Sequence, residues 1–274
     1  MGEIERILFI DESGTPGKSK LPARKTVNCL AFCAGVLLEW KALPQFVDRH
    51  TRLVSECFRP NLPEIKGASL LNDLAPGVDE AAALKRIAAM VGDSNLRIWV
   101  TGCELGCDPH PRYPGAGKKP AVIARNLLVD RVNGMAKSPA YSDYSWLFVC
   151  DLSSGGDLAQ FGTTVASFRD ALVGRARAHS IHAEVLGGDS RRWPAIQIAD
   201  VYAFYARHAF GVKRGLAGAS VSKGEAFVDF LYPTLQRSAT KSVVGWATWP
   251  SKIGVSTGVL KTPTYTQLHK FWKL

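Results

Sequence analysis

The sequence predicts an α/β fold, because short apolar segments typical of buried strands alternate with segments whose apolar residues recur at helical spacing. Two of the apolar segments, residues 7–10 and 146–150, each run directly into an aspartate. The chain has 274 residues, of which 46% are hydrophobic, and is therefore long enough to bury a substantial core. We find no internal repeat and no long linker, so we expect one principal α/β domain.

The N-terminal half supplies three of the predicted strands. The first, at residues 7–10, leads into Asp11 and a turn rich in Ser, Gly and Pro. The second covers residues 27–38, and the third covers residues 96–101. Between the second and third, helical spacing runs from about Trp40 to Phe58, and a further helix begins after Asp79, a residue suited to the N-cap.

The C-terminal half continues the alternation. A helix opens at Pro120, the strand at residues 146–150 follows, and a helix is predicted at residues 161–172. A short strand at residues 181–186 then precedes a helix from Ala195 to about Phe210. We place the domain at residues 1–238 and treat residues 239–274 as an extension packed on or beside it.

The charge distribution favours an anionic partner. The formal net charge is +10, and no Asp or Glu follows Asp229, whereas lysines and aromatic residues alternate from there to the C-terminus. Such a pattern suits phosphate contact with base stacking on DNA or RNA. It equally suits aromatic residues that close the edge of the core beside solvated lysines.

Composition also bears on location and cysteine chemistry. No apolar run approaches the length of a membrane span, and the N-terminus lacks a secretory signal, so we expect a cytoplasmic protein with no membrane partner. The six cysteines show no disulfide spacing, and we expect reduced, buried thiols. Cys103, Cys107 and His110 would supply three ligands of a zinc site without a fourth. The oligomeric state is not predicted.

Four carboxylates occur in settings directed toward the interior. Asp11 and Asp151 end apolar strands, Glu64 lies in a segment bounded by Pro and Gly, and Asp200 interrupts the apolar face of a helix. Clustered carboxylates repel unless cations lie among them, and Mg²⁺ or Mn²⁺ prefers oxygen ligands. A pair of such ions would activate water for phosphodiester hydrolysis.

Each carboxylate also has a purely structural explanation. Asp11 would cap its turn, and Asp151 would accept bonds from the backbone that follows it. Glu64 would pair with Lys66, and Asp200 with Arg207. The case for a joint site rests on the repeated arrangement of strand, aspartate and Ser/Gly turn at Asp11 and Asp151.

Three segments carry a family resemblance: residues 9–14 (FIDESG), 64–67 (EIKG) and 196–203 (IQIADVYA). Together they resemble the domain-of-unknown-function 3800 family, whose members look like ribonuclease H-like folds and are often encoded by bacteria, phages and mobile elements. The resemblance implies a ribonuclease H-like mixed sheet of about five strands flanked by helices. It also implies a metal-dependent nuclease with Asp11, Glu64, Asp151 and Asp200 as catalytic and metal-binding residues.

Three further residues are candidates for substrate contact. Lys66 would touch a scissile phosphate or neutralise Glu64, Ser13 would bind phosphate or hold its turn, and Gln197 would orient a ligand or fill a core gap. The alternative to a nuclease is a non-catalytic module on the same fold that binds nucleic acid or serves as an interaction component in phage defence.

Overall fold

The computed structural model describes residues 5–14, 26–104, 120–136, 145–151, 162, 165–166, 181–235 and 246–249. Most of the helix predicted at residues 161–172, most of the C-terminal extension, Cys107 and His110 lie outside the described residues. No helix among those described is long and apolar enough to cross a lipid bilayer.

In the described part of the chain, six strands form one mixed sheet. Its spatial order is β5-β4-β1-β2-β3-β6. β1 pairs antiparallel with β2, and β2 with β3, whereas β4 runs parallel to β1 and β5 parallel to β4. The five longer strands thus have the ribonuclease H-like arrangement predicted, and β6 adds a short parallel strand beside β3. The strands are β1 (Arg6–Ser13), β2 (Leu30–Glu39), β3 (Arg97–Glu104), β4 (Trp146–Asp151), β5 (Ile181–Gly188) and β6 (Trp246–Trp249).

Helices cover both faces of the sheet. The longest, α5, packs against β1 and β2 on one face, and α4 packs against β2 and β3 on the other. α1 and α3 contact each other and join the core on the α5 side. The helices are α1 (Leu43–Cys57), α2 (Leu70–Asp73), α3 (Glu80–Asp93), α4 (Pro120–Ala136), α5 (Pro194–Lys213) and α6 (Val221–Ala226).

Local sequence signals account for several helix boundaries. Pro44 occupies the first turn of α1, where its missing N–H costs nothing. Asp79 caps α3, as predicted, by accepting a 2.6 Å hydrogen bond from the backbone N–H of Ala82. Pro194 likewise stands in the first turn of α5. That helix extends three residues beyond the predicted end.

β1 lies at the centre of the sheet and is buried on both faces. Ile7 and Phe9 join the core on the α5 side, whereas Leu8 and Ile10 join the core on the α4 side. A strand covered on both faces reads as a continuous apolar run, which explains why this segment shows no alternation of polar residues. The strand also continues past its predicted end, because pairing with β2 carries it through Asp11 to Ser13.

Candidate functional site

Asp11 and Asp151 lie side by side on neighbouring parallel strands. Ile10 of β1 is in register with Cys150 of β4, so the next residue of each strand is an aspartate. Asp11 shares the face of Phe9, and Asp151 shares the face of its partner Gly188 on β5. A Cβ at Gly188 would lie 2.8 Å from Ile196 of α5. Both aspartates therefore point to the α5 side.

Asp200 approaches the same place from α5. It lies four residues after Ile196, one helical turn further along. Its Oδ2 accepts a 2.8 Å hydrogen bond from the backbone N–H of Gly67. Burial raises the pKa of Asp11, and repulsion from Asp200 and Asp151 adds to the rise, so the three carboxylates interact electrostatically.

Glu64 belongs to a loop, residues 58–69, that packs on α5. Its Oε1 is 2.8 Å from Nζ of Lys66, and its Oε2 accepts a 2.6 Å hydrogen bond from the Ser190 hydroxyl. Glu64 also repels Asp200 electrostatically. Glu64 therefore forms the ion pair with Lys66 that the structural explanation predicted. This pair lies beside the aspartates.

Gln197, on α5, connects the loop that carries Glu64 to the turn that carries Ser190. Its Oε1 accepts a 2.9 Å hydrogen bond from the backbone N–H of Ile65, and its Nε2 donates to the Ser190 carbonyl at 2.8 Å. Both segments are thereby held to the first turn of α5. Gln197 is buried and acts on the loop of Glu64, so its observed role is to position that loop.

Burial and mutual repulsion dominate the electrostatics of the cluster. Burial first, and then repulsion from Asp200, raises the pKa of Asp11 to about 8, against a lowering hydrogen bond from the Glu12 N–H. Burial likewise raises the pKa of Asp200 to about 6, although the Gly67 N–H and Lys66 oppose it. Like charges are therefore crowded here.

Glu64 and Lys66 shift in the opposite sense. Burial acts to raise the pKa of Glu64, but hydrogen bonds from Lys66 and Ser190 outweigh it and lower that pKa. The bond to Glu64 raises the pKa of Lys66, and the charges of Asp200 and Asp151 add to the rise. Lys66 is half exposed, so it partly offsets the negative cluster from its open side.

Two residues next to Asp11 have other roles. Glu12 points to the α4 side, as a continuing strand requires, and its Oε1 is 2.7 Å from Nε of Arg125. Ser13 is buried at the end of β1 on the side of Asp11, paired in register with Phe32. Ser13 therefore lies two residues from Asp11 on the same face of β1.

Little in the sequence indicates that Arg207 lies near the acidic cluster. Its guanidinium packs against Gly14, where an added Cβ would lie 2.7 Å from Nη1, and Gly14 itself has a left-handed φ of +81°. Burial lowers the pKa of Arg207, and the charge of Asp200 opposes this. The signal was the spacing of seven residues from Asp200, which places both on one helix face.

The donor set suits Mg²⁺ or Mn²⁺, because all four acids offer oxygen ligands. Burial first, and then the neighbouring charges of Asp200 and Asp151, raise the pKa of Asp11. In the arrangement observed, however, the described residues include no group of three or more His, Cys, Asp or Glu side chains that could hold a metal ion. The Glu12 and Gly67 N–H groups already bond Asp11 and Asp200. A cation would therefore have to reorient carboxylates that the backbone now holds.

The described cysteines are buried thiols outside any disulfide, as expected: Cys29, Cys33, Cys57, Cys103 and Cys150. The Cys103 thiol lies in the core on the α4 side, away from the acidic cluster. In comparisons with known proteins, no family model matches this chain, and no curated protein matches it either.

Proposed function

We propose that this chain is a metal-dependent nuclease that hydrolyses phosphodiester bonds in DNA or RNA. The observation that supports this most directly is that Asp11, Asp151 and Asp200, from three separate elements, lie on the α5 side of the sheet and interact electrostatically. Separate structural duties would not require three carboxylates to repel one another in a buried place. The likeness of the FIDESG, EIKG and IQIADVYA segments to the domain-of-unknown-function 3800 family agrees with this function.

The proposed ligands are Asp11 and Asp151 on the strands, with Glu64 and Asp200 completing the set. Bound Mg²⁺ or Mn²⁺ would supply an activated water and stabilise the leaving oxygen. Gln197 and Gly67 fix the loop and helix that carry Glu64 and Asp200. Lys66, half exposed beside the acids, would exchange its contact with Glu64 for the scissile phosphate.

The net charge of +10 supports a nucleic-acid substrate, since the acidic cluster is a local exception on a basic protein. A basic surface raises the local concentration of an anionic polymer, and metal ions then neutralise the acids where the backbone must approach.

The test is cleavage of single- and double-stranded DNA and RNA with Mg²⁺, with Mn²⁺ and with EDTA. Asp11→Asn and Asp151→Asn should each lower the cleavage rate by about 10²-fold or more, because each removes one charged ligand. Asp93→Asn, an isosteric change at an exposed residue of α3, is the matched control and should retain the rate. Activity that survives both cluster variants would refute the proposal.

A second candidate is a non-catalytic nucleic-acid-binding module. Two observations favour it: Lys66 already pairs with Glu64, and the described acids form no group of three able to hold a metal ion. This candidate predicts salt-dependent binding of nucleic acid, unchanged by Asp11→Asn, with no cleavage in either metal. The same cleavage experiment therefore separates the two functions.

A further inference from the structure

A groove runs beside the acidic cluster, and we name it the α1 groove. It has a volume of about 600 Å³ and lies between α1, the loop at residues 58–65, the turn at residues 191–192 and the start of α5. Pockets that bind small molecules commonly have volumes of about 300–1,000 Å³. The groove is therefore large enough for one nucleotide.

The walls and the rim of the groove differ in character. Val47, Val54 and Leu62 give the walls an apolar surface, and Val47 is exposed. Arg59 and Arg192 are exposed at the rim, and Arg192 also interacts electrostatically with Asp189. The groove therefore combines apolar surface below with two positive charges above.

His50 adds a buried polar group to the same groove. Its side chain is buried and its Nε2 has no hydrogen bond of normal geometry to any described residue. Burial lowers the pKa of His50 to about 4, although a hydrogen bond with the Gln197 side chain opposes this, so the imidazole is neutral at pH 7. His50 thus adds a neutral hydrogen-bonding ring to the lining of the groove.

The groove and the acidic cluster share a wall. Glu64 and Gln197 line the groove, and the same residues connect to Lys66, Ser190 and the N–H of Ile65. A strand whose backbone phosphate lies at the acids would therefore carry its next nucleotide toward the groove.

We propose that the α1 groove binds one unpaired nucleotide of the nucleic-acid strand, with the base against its apolar walls and a phosphate at Arg59 and Arg192. This deepens the proposed function and rests on its nucleic-acid substrate. A base has flat apolar faces that fit the walls and an edge of donors and acceptors that can bond His50. The two arginines at the rim favour a nucleotide over an uncharged apolar peptide, because a phosphate group complements their positive charge.

The proposal is tested with a fluorescein-labelled 12-nucleotide single-stranded DNA, measured by fluorescence anisotropy in EDTA. Thr51→Trp fills the groove from an exposed position on α1 and should weaken binding at least tenfold. Gln45→Trp, exposed on α1 outside the groove lining, is the matched control and should bind within twofold of the unchanged protein. Circular dichroism confirms that both variants fold.

Two further measurements separate the base from the phosphate. The double variant Arg59→Ala/Arg192→Ala should weaken binding and reduce the salt slope by about 0.7, the value for one phosphate of a single strand, whereas Arg52→Ala, outside the groove, should not. Uridine or adenosine monophosphate should displace the labelled strand about tenfold better than ribose 5-phosphate, which lacks a base.

Unchanged binding by Thr51→Trp, or equal competition by ribose 5-phosphate, would overturn the groove proposal. Because binding is measured in EDTA, these outcomes do not depend on cleavage. A chain that cleaves DNA but binds equally well with Thr51→Trp remains a nuclease without this site. A chain that fails to cleave but loses binding in Thr51→Trp keeps the groove without the nuclease.

Discussion

The backbone N–H of Gly67 donates a 2.8 Å hydrogen bond to Oδ2 of Asp200, across 133 residues of sequence. This bond fixes the carboxylate of a buried helix against the loop that carries Glu64 and Lys66. It also lowers the pKa of Asp200 against the stronger raising effect of burial. Gly67 is thus both a structural contact and part of the electrostatic setting of the cluster.

Gly67→Ala should destabilise the protein by about 1–3 kcal/mol, because the added Cβ would lie 2.6 Å from Cβ of Phe204, where neither atom can rotate away. The loop would shift and weaken the bond to Asp200, so cleavage should fall as well. Urea unfolding and the cleavage rate measure the two effects. Gly92→Ala is the control: nothing lies within 4 Å of its Cβ, and no loss of stability is expected.

Asp11 should make the metal-free protein less stable as the pH rises. Its pKa is about 8 when folded and near the ordinary value of about 3.9 when unfolded, so the folded state binds the extra proton between these values. Stability therefore falls as pH increases through that window and levels off above pH 8. Asp200, with a pKa of about 6, contributes only to the lower part.

The window from pH 6.5 to 8 avoids most of the effect of the buried His50 and His208, whose pKa values are lowered to about 4, because the stability they contribute is lost mainly as the pH falls below 6.5. The pKa of Glu12 is raised too, so the comparison with Asp11→Asn identifies the part that belongs to Asp11. In EDTA the unfolding free energy should fall by about 1.6 kcal/mol across this window, because the slope of 1.36 kcal/mol per pH unit halves as Asp11 reaches its folded pKa of about 8. Asp11→Asn should abolish most of that fall and be more stable than the unchanged protein at pH 8. A parallel pH dependence in both proteins would contradict the assignment.

Mg²⁺ or Mn²⁺ should raise the thermal stability at pH 8 and do so less at pH 6, because protons compete for the same carboxylates. At a concentration about one hundred times the Kd, the gain is about 2.7 kcal/mol. Asp11→Asn and Asp151→Asn should lose most of the response, while Asp93→Asn keeps it. Scanning calorimetry with and without metal gives the comparison, and an equal gain in all four proteins would exclude the cluster as the site.

The strands of the sheet were predictable because the burial of each strand shows in its own consecutive residues. β1 and β4 are buried on both faces. Strands of this kind have unbroken apolar sequences, here followed by a charged residue, and can be recognised from them. The parity of β1 then assigns Asp11 to one face and Glu12 to the other, as the Glu12–Arg125 pair bears out. The strand ends were less accurate, since pairing with β2 decides where β1 stops.

The contacts around Glu64 could not be predicted in the same way. Ser190 and Gln197 meet the loop only after the chain has folded, and their separations of 126 and 132 residues leave no periodic signal. The sequence allowed Lys66 either to neutralise Glu64 or to await a phosphate, and only the fold shows the first of these contacts. The His50 nitrogen and the groove around it likewise depend on how α1 packs beside α5.

Gln197→Leu should test the positioning of the Glu64 loop without changing the charge of any acid in the cluster. The change keeps the side-chain volume nearly constant but removes the acceptor for the Ile65 N–H and the donor for the Ser190 carbonyl. Since a buried N–H without a partner costs about 1–3 kcal/mol, we expect a loss of stability of that size in urea unfolding. Gln45→Leu, the same change at an exposed residue of α1, should alter stability by about 0.5 kcal/mol or less.

Gln197→Leu should also lower the cleavage rate, because the loop of Glu64 loses its hydrogen bond to α5. The fall in stability between pH 6.5 and 8 should not change, because the residues around Asp11 stay the same. Glu64 would then lose its bond from Ser190, so its pKa should rise toward its ordinary value. Nuclear magnetic resonance titration of the Glu64 carboxyl carbon reports that pKa directly. An unchanged Glu64 pKa together with unchanged cleavage would show that Gln197 fills the core without positioning the site.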